Sequence, residues 1–470
     1  MNWDQLLCSE RIRTTNKQTT SNDLRSEFEK DYHRIIGSAA FRRLQDKTQV
    51  FPLDKSDFIR TRLTHSLEVS SFAKSLGQNV GNKIITGKLD DSFDEQKKED
   101  ICAILQCAGL IHDIGNPPFG HFGESAIQDW CKNNLPNIEY KGKAVSEILT
   151  KQQLQDFYHF EGNTQALRVV TKLHFLVDEH GMNLTKALLA TIIKYPVSSL
   201  ETDKTKGDIR CKKMGYFHAD KDTFENIVSS VGTCGYRHPL TFLLEAADDI
   251  AYKTADIEDS LKKGCITYSV LLDELKKEED YNIEKSKYRS LVDALERKYN
   301  KAIDCKYEQP DVYAIQNWAI NVQGNAIYTV TDNFIAHYDE IMAGTYKYDL
   351  FHDTEIEKIL DVLGDVAYKY AFTSKPIYKL EIAADTIFNF LLDRFVNSVI
   401  YYDTDVSMST VASKIVSLIS EDYKRIYHIF SEGKTEEEKL YLRIMLVTDY
   451  VCGMTDSFAR DMYRELSGNQ

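Results

Sequence analysis

The sequence predicts an all-α protein, and three observations predict it. Apolar residues recur at three- and four-residue steps over long segments. No stretch sustains the alternation of a half-buried strand. Only 8 Pro interrupt 470 residues, and no Gly/Ser- or Pro-rich linker divides them. Length alone suggests about three domains. The absence of linkers favours one large helical body with appended helices.

The elements follow in order. Residues 1–30 read as an arm, polar around Thr14 to Asn22, leading into a helix near Asp23. Residues 31–51 read as a helix ending in an extended piece, with Arg42 and Arg43 at the surface. Residues 61–82 form a helix on which His65, Val69, Phe72 and Leu76 share one face, with Arg62 one turn before His65. Residues 87–100 read as a charged loop. Ile101, Ile104, Leu105, Ala108 and Ile111 then make a buried stripe with His112 in line, and Gly115 with Pro117–Pro118 ends that helix. Residues 131–160 read as a polar connection. Helices are expected at 163–180 and 184–194, the second ending at Tyr195–Pro196. Residues 200–214 are a Lys-rich loop. Residues 240–262 are amphipathic, with Leu243, Ala247, Ile250, Ile257 and Leu261 inward and Asp248, Tyr252 and Asp256 on the opposite, solvent-facing side. Residues 272–309 read as a solvent-facing charged helical insertion. Segments 312–345, 354–372, 376–400, 409–430 and 434–466 read as helical.

Composition narrows the function. The chain is 43% hydrophobic and 28% charged, ordinary for a globular protein. Its 58 Lys+Arg against 72 Asp+Glu give a net charge of -14, which argues against non-specific nucleic-acid binding over the whole surface. A local basic pocket stays possible. The 9 Cys are odd in number and form no CxxC pair, a pattern of reduced thiols and a cytoplasmic setting. Met1–Gln5 lacks a basic stretch before an apolar run, so no signal peptide is expected. No apolar run is long enough to span a membrane.

The stretch from Gly109 to Glu124 packs two His, an Asp and a Glu among four Gly and two Pro. A buried His needs a partner. His65, His112, Asp113 and an acidic residue such as Asp248 offer two imidazoles and two carboxylates. That set suits a divalent ion such as manganese, iron, cobalt, nickel or zinc, able to polarise a phosphoryl oxygen and acidify water. His121 and Glu124, one turn apart, suit an imidazole oriented by a carboxylate for proton transfer. Arg62, Lys194, Lys212 and Lys213 could neutralise phosphates. Spacing alone leaves a blander reading open, of satisfied core histidines, turn-forming Gly and Pro, and a solvated Lys-rich loop.

The order H…HD…D resembles the HD phosphohydrolase superfamily. The stretches Thr61–Val69, His112–Glu124 (HDIGNPPFGHFGE), His159–Asn163, Lys194–Pro196, Gly215–Phe217 and Glu245–Tyr252 (EAADDIAY) resemble the bacterial deoxyguanosine triphosphate triphosphohydrolases. The likeness runs from about residue 30 to 260 and more weakly to about 400. It implies a helical HD core over 31–265, after the 1–30 arm and before a 266–310 insertion. Residues 311–470 would complete the base pocket and an oligomer interface. It implies hydrolysis of dGTP, or of other dNTPs, to deoxyguanosine and inorganic triphosphate. It implies His65, His112, Asp113 and Asp248 as ligands of one divalent metal, manganese or magnesium foremost. His121 and Glu124 would be the catalytic pair. Arg62, His159, Lys194, Lys212 and Tyr252 would contact substrate. Gln49 and Asp256 would hold the sugar 3′-hydroxyl, Tyr252 would exclude a 2′-hydroxyl, and Phe372 and Glu381 would recognise the base. The resemblance also implies a homo-oligomer, commonly a hexamer, answering to single-stranded DNA or a second dNTP. Lys424, Arg425, Lys434 and Arg443 are the candidate effector contacts. The alternatives are another HD-type nucleotide phosphohydrolase and a catalytically inactive nucleotide- or DNA-sensing protein.

Overall fold

A computed structural model describes residues 1–13, 23–53, 56, 58–175 and 177–468. The polar segment 14–22 lies outside the described residues. The principal helices are α1 (Glu27–Ile36), α2 (Arg62–Gly87), α3 (Glu95–Ile111), α4 (His121–Asn134), α5 (Gly162–Arg168), α6 (Lys186–Ile192) and α7 (Pro239–Lys262). They continue with α8 (Tyr268–Lys277), α9 (Lys287–Asp304), α10 (Pro310–Ala336), α11 (Glu355–Ala367), α12 (Lys375–Val399), α13 (Glu421–Ser431), α14 (Glu436–Cys452) and α15 (Asp456–Ser467). Among the described residues the only paired strands are Glu139–Tyr140 and Lys143–Ala144, an antiparallel hairpin. The all-α expectation holds. No helix among these residues is long and apolar enough to cross a membrane.

Local chemistry sets the boundaries. Ser26 caps α1 in a reciprocal capping box with Glu29, three residues later than the sequence placed that start. The 87–100 loop shrinks to 88–94, because the Asp94 carboxylate accepts the Lys97 N–H at 2.9 Å and starts α3 early. Segment 131–160 holds the hairpin and a capped helix, Lys151–Tyr158, where only a connection was expected. The 163–180 helix stops at a π-helical turn, Val169–Leu173. Segment 409–430 breaks at Ile419–Ser420 into two helices.

Two apolar cores organise the chain. The first joins α2, α3, α6 and α7, with Val69, Leu76, Leu105, Ile111, Leu188, Leu243 and Ile250 buried. α2 and α3 pack so closely that a Cβ on Gly109 would stand 2.5 Å from the Ser70 Cα. The segment 268–304 adds Leu271, Leu275, Leu291, Val292 and Leu295 to this core, so one flank of the expected solvent-facing insertion is buried. The second core forms between α4 and α12, α14 and α15, around Ile127, Trp130, Phe388, Leu392, Phe395 and Met445. The chain beyond residue 311 therefore serves both cores, α10 and α11 the first and α12 to α15 the second. Arg168 of α5 ties them, donating to Asp449 of α14 at 2.7 and 2.8 Å and to Asp220 at 3.1 Å, all buried. A buried ion network of this kind fixes register more than it adds stability.

Candidate active site

The site lies where the first core meets α4. Thr61 caps α2, so Arg62 is its first residue and His65 points inward one turn later. α3 ends at Ile111, and His112 is the residue that closes it. The His112 Nδ1–H donates to the Gly109 carbonyl at 2.8 Å, which turns Nε2 toward the carboxylates. That Nε2 has no hydrogen-bond partner. It stands 3.3 Å from Asp248 Oδ1 and 3.6 Å from Asp113 Oδ1. His65 Nε2 lies 3.1 Å from the same Asp248 oxygen. Donor atoms of His65, His112 and Asp113 all fall within 4.8 Å of one another.

Cations complete the group. Arg62 Nη1 donates to Asp113 Oδ2, Asn116 Nδ2 donates to Asp113 Oδ1 at 2.7 Å, and Lys194 Nζ lies 3.0 Å from Asp248 Oδ2. Burial opposes the charged carboxylates, but Arg62 and His112 outweigh it at Asp113, and Lys194 and His112 outweigh it at Asp248. Both stay well below the usual carboxylate range. Burial likewise opposes charge on His112, and Asp113 and Asp248 outweigh it and raise its pKa. A buried imidazole nitrogen without a partner, facing two ionised carboxylates, is a donor set that fits a divalent ion. Asp248 does not face solvent, as its helix periodicity suggested. It reaches into this group from α7.

His121 opens α4 after two residues in left-handed backbone, Phe119 at φ 59° and Gly120 at φ 62°. A Cβ on Gly120 would also stand 2.5 Å from Arg62 Nη2, so glycine answers both backbone and space there. His121 Nδ1 bonds Glu124 Oε2 at 2.8 Å, and the Gly162 N–H donates to Glu124 Oε1 at 2.7 Å. The hydrogen bond to Glu124 raises the His121 pKa. Burial opposes ionisation of Glu124, yet His121 holds its pKa below the usual value. Lys213 bonds Glu161 at 2.8 Å beside them.

Three adjoining compartments share His121. The metal compartment, about 1130 Å³, is lined by Arg62, Asp113, Lys194, Lys212 and Asp248, with Gln49 and Tyr252 at its edge. Gln49 and Tyr252 also line an aromatic compartment of about 770 Å³ with Phe119, Phe122, Phe372 and Glu381. His159, Lys212 and Lys213 line an outer compartment with Glu124. The sequence-predicted residues thus gather around one cleft. Asp256 stands apart, buried one turn beyond Tyr252 with its Oδ2 unpartnered.

Sequence reasoning missed several residues. Asn116 sits three places after Asp113 and was legible as a partner. Glu161 lay inside a quoted motif. Asp249 follows Asp248 in the metal compartment, where burial pushes its carboxyl up to about 7. Tyr368, in a π-helical turn with Phe372, and Asp349 come from distant segments without a local signal. Arg443, expected at the surface, is fully buried and donates to the Ile400 carbonyl at 2.8 Å, so it is not open to an effector.

The HD domain profile matches residues 62–194. A protein of Listeria innocua named deoxyguanosinetriphosphate triphosphohydrolase-like is 47% identical over the whole of both chains. A Synechocystis protein of the same name is 33% identical over 100% of this chain and 99% of its own. A Yersinia enterocolitica protein named deoxyguanosinetriphosphate triphosphohydrolase is 31% identical over 93% of each.

Proposed function

The chain belongs to the deoxyguanosinetriphosphate triphosphohydrolase family of HD-domain proteins, and on that premise we propose that it hydrolyses dGTP, or other dNTPs, to the deoxynucleoside and inorganic triphosphate. One observation carries the proposal. The cation-lined metal compartment and the aromatic compartment are joined through His121, Gln49 and Tyr252. A triphosphate fits the first, a base the second, and a sugar the junction.

His65, His112, Asp113 and Asp248 would hold one divalent ion, manganese or magnesium foremost, with cobalt, nickel, iron or zinc as alternatives. Bound there, the ion would polarise a phosphoryl oxygen and acidify water. Arg62, Lys194 and Lys212 would neutralise the phosphates, with Lys213 and His159 at the outer rim. Water adds to the α-phosphorus, and the bond to the 5′-oxygen breaks. The leaving oxygen needs a proton, and His121, whose pKa Glu124 raises, would deliver one from Nε2. Gln49 and Asp256 would hold the 3′-hydroxyl, Tyr252 would pack under C2′, and Phe372 with Glu381 would meet the base.

We further infer a homo-oligomer, a hexamer foremost, that answers to single-stranded DNA or a second dNTP, and a cytoplasmic setting. Support for the first is the resemblance, with Lys424, Arg425 and Lys434 at or near the surface of α13 and the turn after it. Support for the second is that all nine cysteines are free.

The test is a panel of dNTPs and NTPs with Mn²⁺, products resolved as triphosphate, pyrophosphate and phosphate. Samples are sized by light scattering with and without an oligodeoxynucleotide. Triphosphate from dGTP is expected. Release of pyrophosphate or phosphate instead would assign another HD phosphohydrolase reaction, and binding without product would assign a sensor. A monomer indifferent to both effectors would discard the regulatory reading alone.

A further inference from the structure

The turn joining α14 to α15, far from the cleft in sequence, holds both loops that flank it. The Asp456 carboxylate takes three donors. Its Oδ1 accepts the Phe119 N–H at 2.9 Å. Its Oδ2 accepts the Thr48 N–H at 3.0 Å and the Thr48 hydroxyl. Four residues earlier, the Cys452 carbonyl accepts Lys47 Nζ at 2.7 Å, and the same ammonium donates to the Asn116 carbonyl at 2.6 Å. Lys47, Asn116 and Asp456 are all buried.

The positions of these bonds matter. Phe119 is the first of the two left-handed residues that aim His121, and such backbone persists only where its surroundings fix it. Thr48 precedes Gln49, which lines the junction of the two compartments. Asn116 carries the hydrogen bond to Asp113. A hold needed only for stability would be served as well by an apolar contact, since burying an ammonium and a carboxylate costs desolvation. Burial lowers the Lys47 pKa to about 8 and raises that of Asp456, the direction in which desolvation penalises each charge. What directional bonds add is the orientation of two loops from unrelated parts of the chain.

We propose that Asp456, with the Cys452–Lys47 bond behind it, is a positioning residue that sets His121 and Gln49 relative to the metal group. The inference rests on the functional reading above. It makes the far C-terminal turn part of the catalytic geometry without contact with substrate.

The experiment compares Asp456→Asn, Thr48→Val and a control at the far end of α15, Ser467→Ala, whose hydroxyl donates to the Arg464 carbonyl within that helix. Three readouts are taken: amide hydrogen exchange, kcat and KM for dGTP, and the preference for dGTP over its 2′,3′-dideoxy analogue. Asp456→Asn should speed exchange at Phe119 and Thr48 while the two cores stay protected. It should lower kcat roughly 10–100-fold, as loss of a supporting hydrogen bond behind a site does, with KM little changed. Thr48→Val keeps the Phe119 bond, so it should weaken the dideoxy preference while sparing most of kcat. Ser467→Ala should match wild type. Unchanged exchange at Phe119 and Thr48, uniformly faster exchange throughout, or wild-type kcat and preference in Asp456→Asn would each overturn the proposal. A wild type that releases no triphosphate would remove the functional reading alone, because the exchange comparison needs no substrate and still decides whether the turn holds both loops.

Discussion

The two ends of the cleft carry a histidine–carboxylate group each, under opposite conditions. At the metal end the His65 and His112 side chains are 1% exposed, and each carboxylate is matched by Arg62, Asn116 or Lys194. At the other end His121 is 75% exposed, and only its partner Glu124 is buried, at 6%. Charge at the metal end is balanced largely by neighbouring side chains, since both imidazoles are buried. Charge at the open end can be balanced by solvent or by substrate. The first end should therefore fail all at once and the second by degrees.

His112→Ala sharpens this contrast most. It removes the nitrogen that faces Asp113 and Asp248 and leaves both carboxylates, with Arg62 and Lys194, in an altered balance. Activity should fall to background and the divalent ion should be lost, measured by elemental analysis after desalting. His65→Ala should do the same. Full metal occupancy in either variant would break the comparison at its deep end.

The open end should respond by degree. His121→Ala should retain the metal and lower turnover by roughly 10²–10⁴-fold, the usual range for a positioned proton-transfer group. The sign of the pH effect follows from the pair. Glu124 raises the His121 pKa, so the cationic donor persists to higher pH than an isolated imidazole would, and activity is lost as pH rises through that raised value. Glu124→Gln removes the cause. Its alkaline limb should move to lower pH, toward about 6.5, the ordinary imidazole value. A kcat profile with the wild-type limb in Glu124→Gln would assign the proton elsewhere.

Legibility in the sequence divides along the same line. His65 and His112 ride on helices whose own apolar periodicity points them inward, so a one-dimensional pattern located them. Asp248 lies on an equally clear helix, yet periodicity placed its face in solvent. Only the packing of α7 against α2 and α3 turns that face into a wall. His121 follows a turn of Gly and Pro, where composition announces a turn but not its aim. That aim depends on Asp456, more than 300 residues away, and no local pattern carries a bond of that span. The division of residues beyond 311 between two cores was hidden for the same reason. Each helix showed its apolar stripe, but not the partner that would cover it.

The smallest expected effect lies at the junction between the ends, where the sugar would sit. Tyr252 lines both compartments, and Asp256 follows one turn on along the same helix. Burial, with Asp259 nearby, raises the Asp256 pKa well above the usual carboxylate value. Its Oδ2 and Gln49 Oε1 are buried without partners. In the proposed reading these two atoms would meet the 3′-hydroxyl, which can donate and accept. In that reading the ring packs under C2′ and leaves no room for a hydroxyl there. Tyr252→Ala should therefore narrow the preference for dGTP over GTP by opening that space. Asp256→Asn should narrow the preference for dGTP over its 2′,3′-dideoxy analogue. A buried hydrogen-bond partner is worth about 1–3 kcal/mol, so each ratio of kcat/KM should move by roughly 5- to 150-fold. Metal content and the alkaline limb should stay as in wild type, because neither substitution touches His112 or His121. If both ratios keep their wild-type values, the junction does not read the sugar, and the two ends of the cleft act without the link that Tyr252 provides.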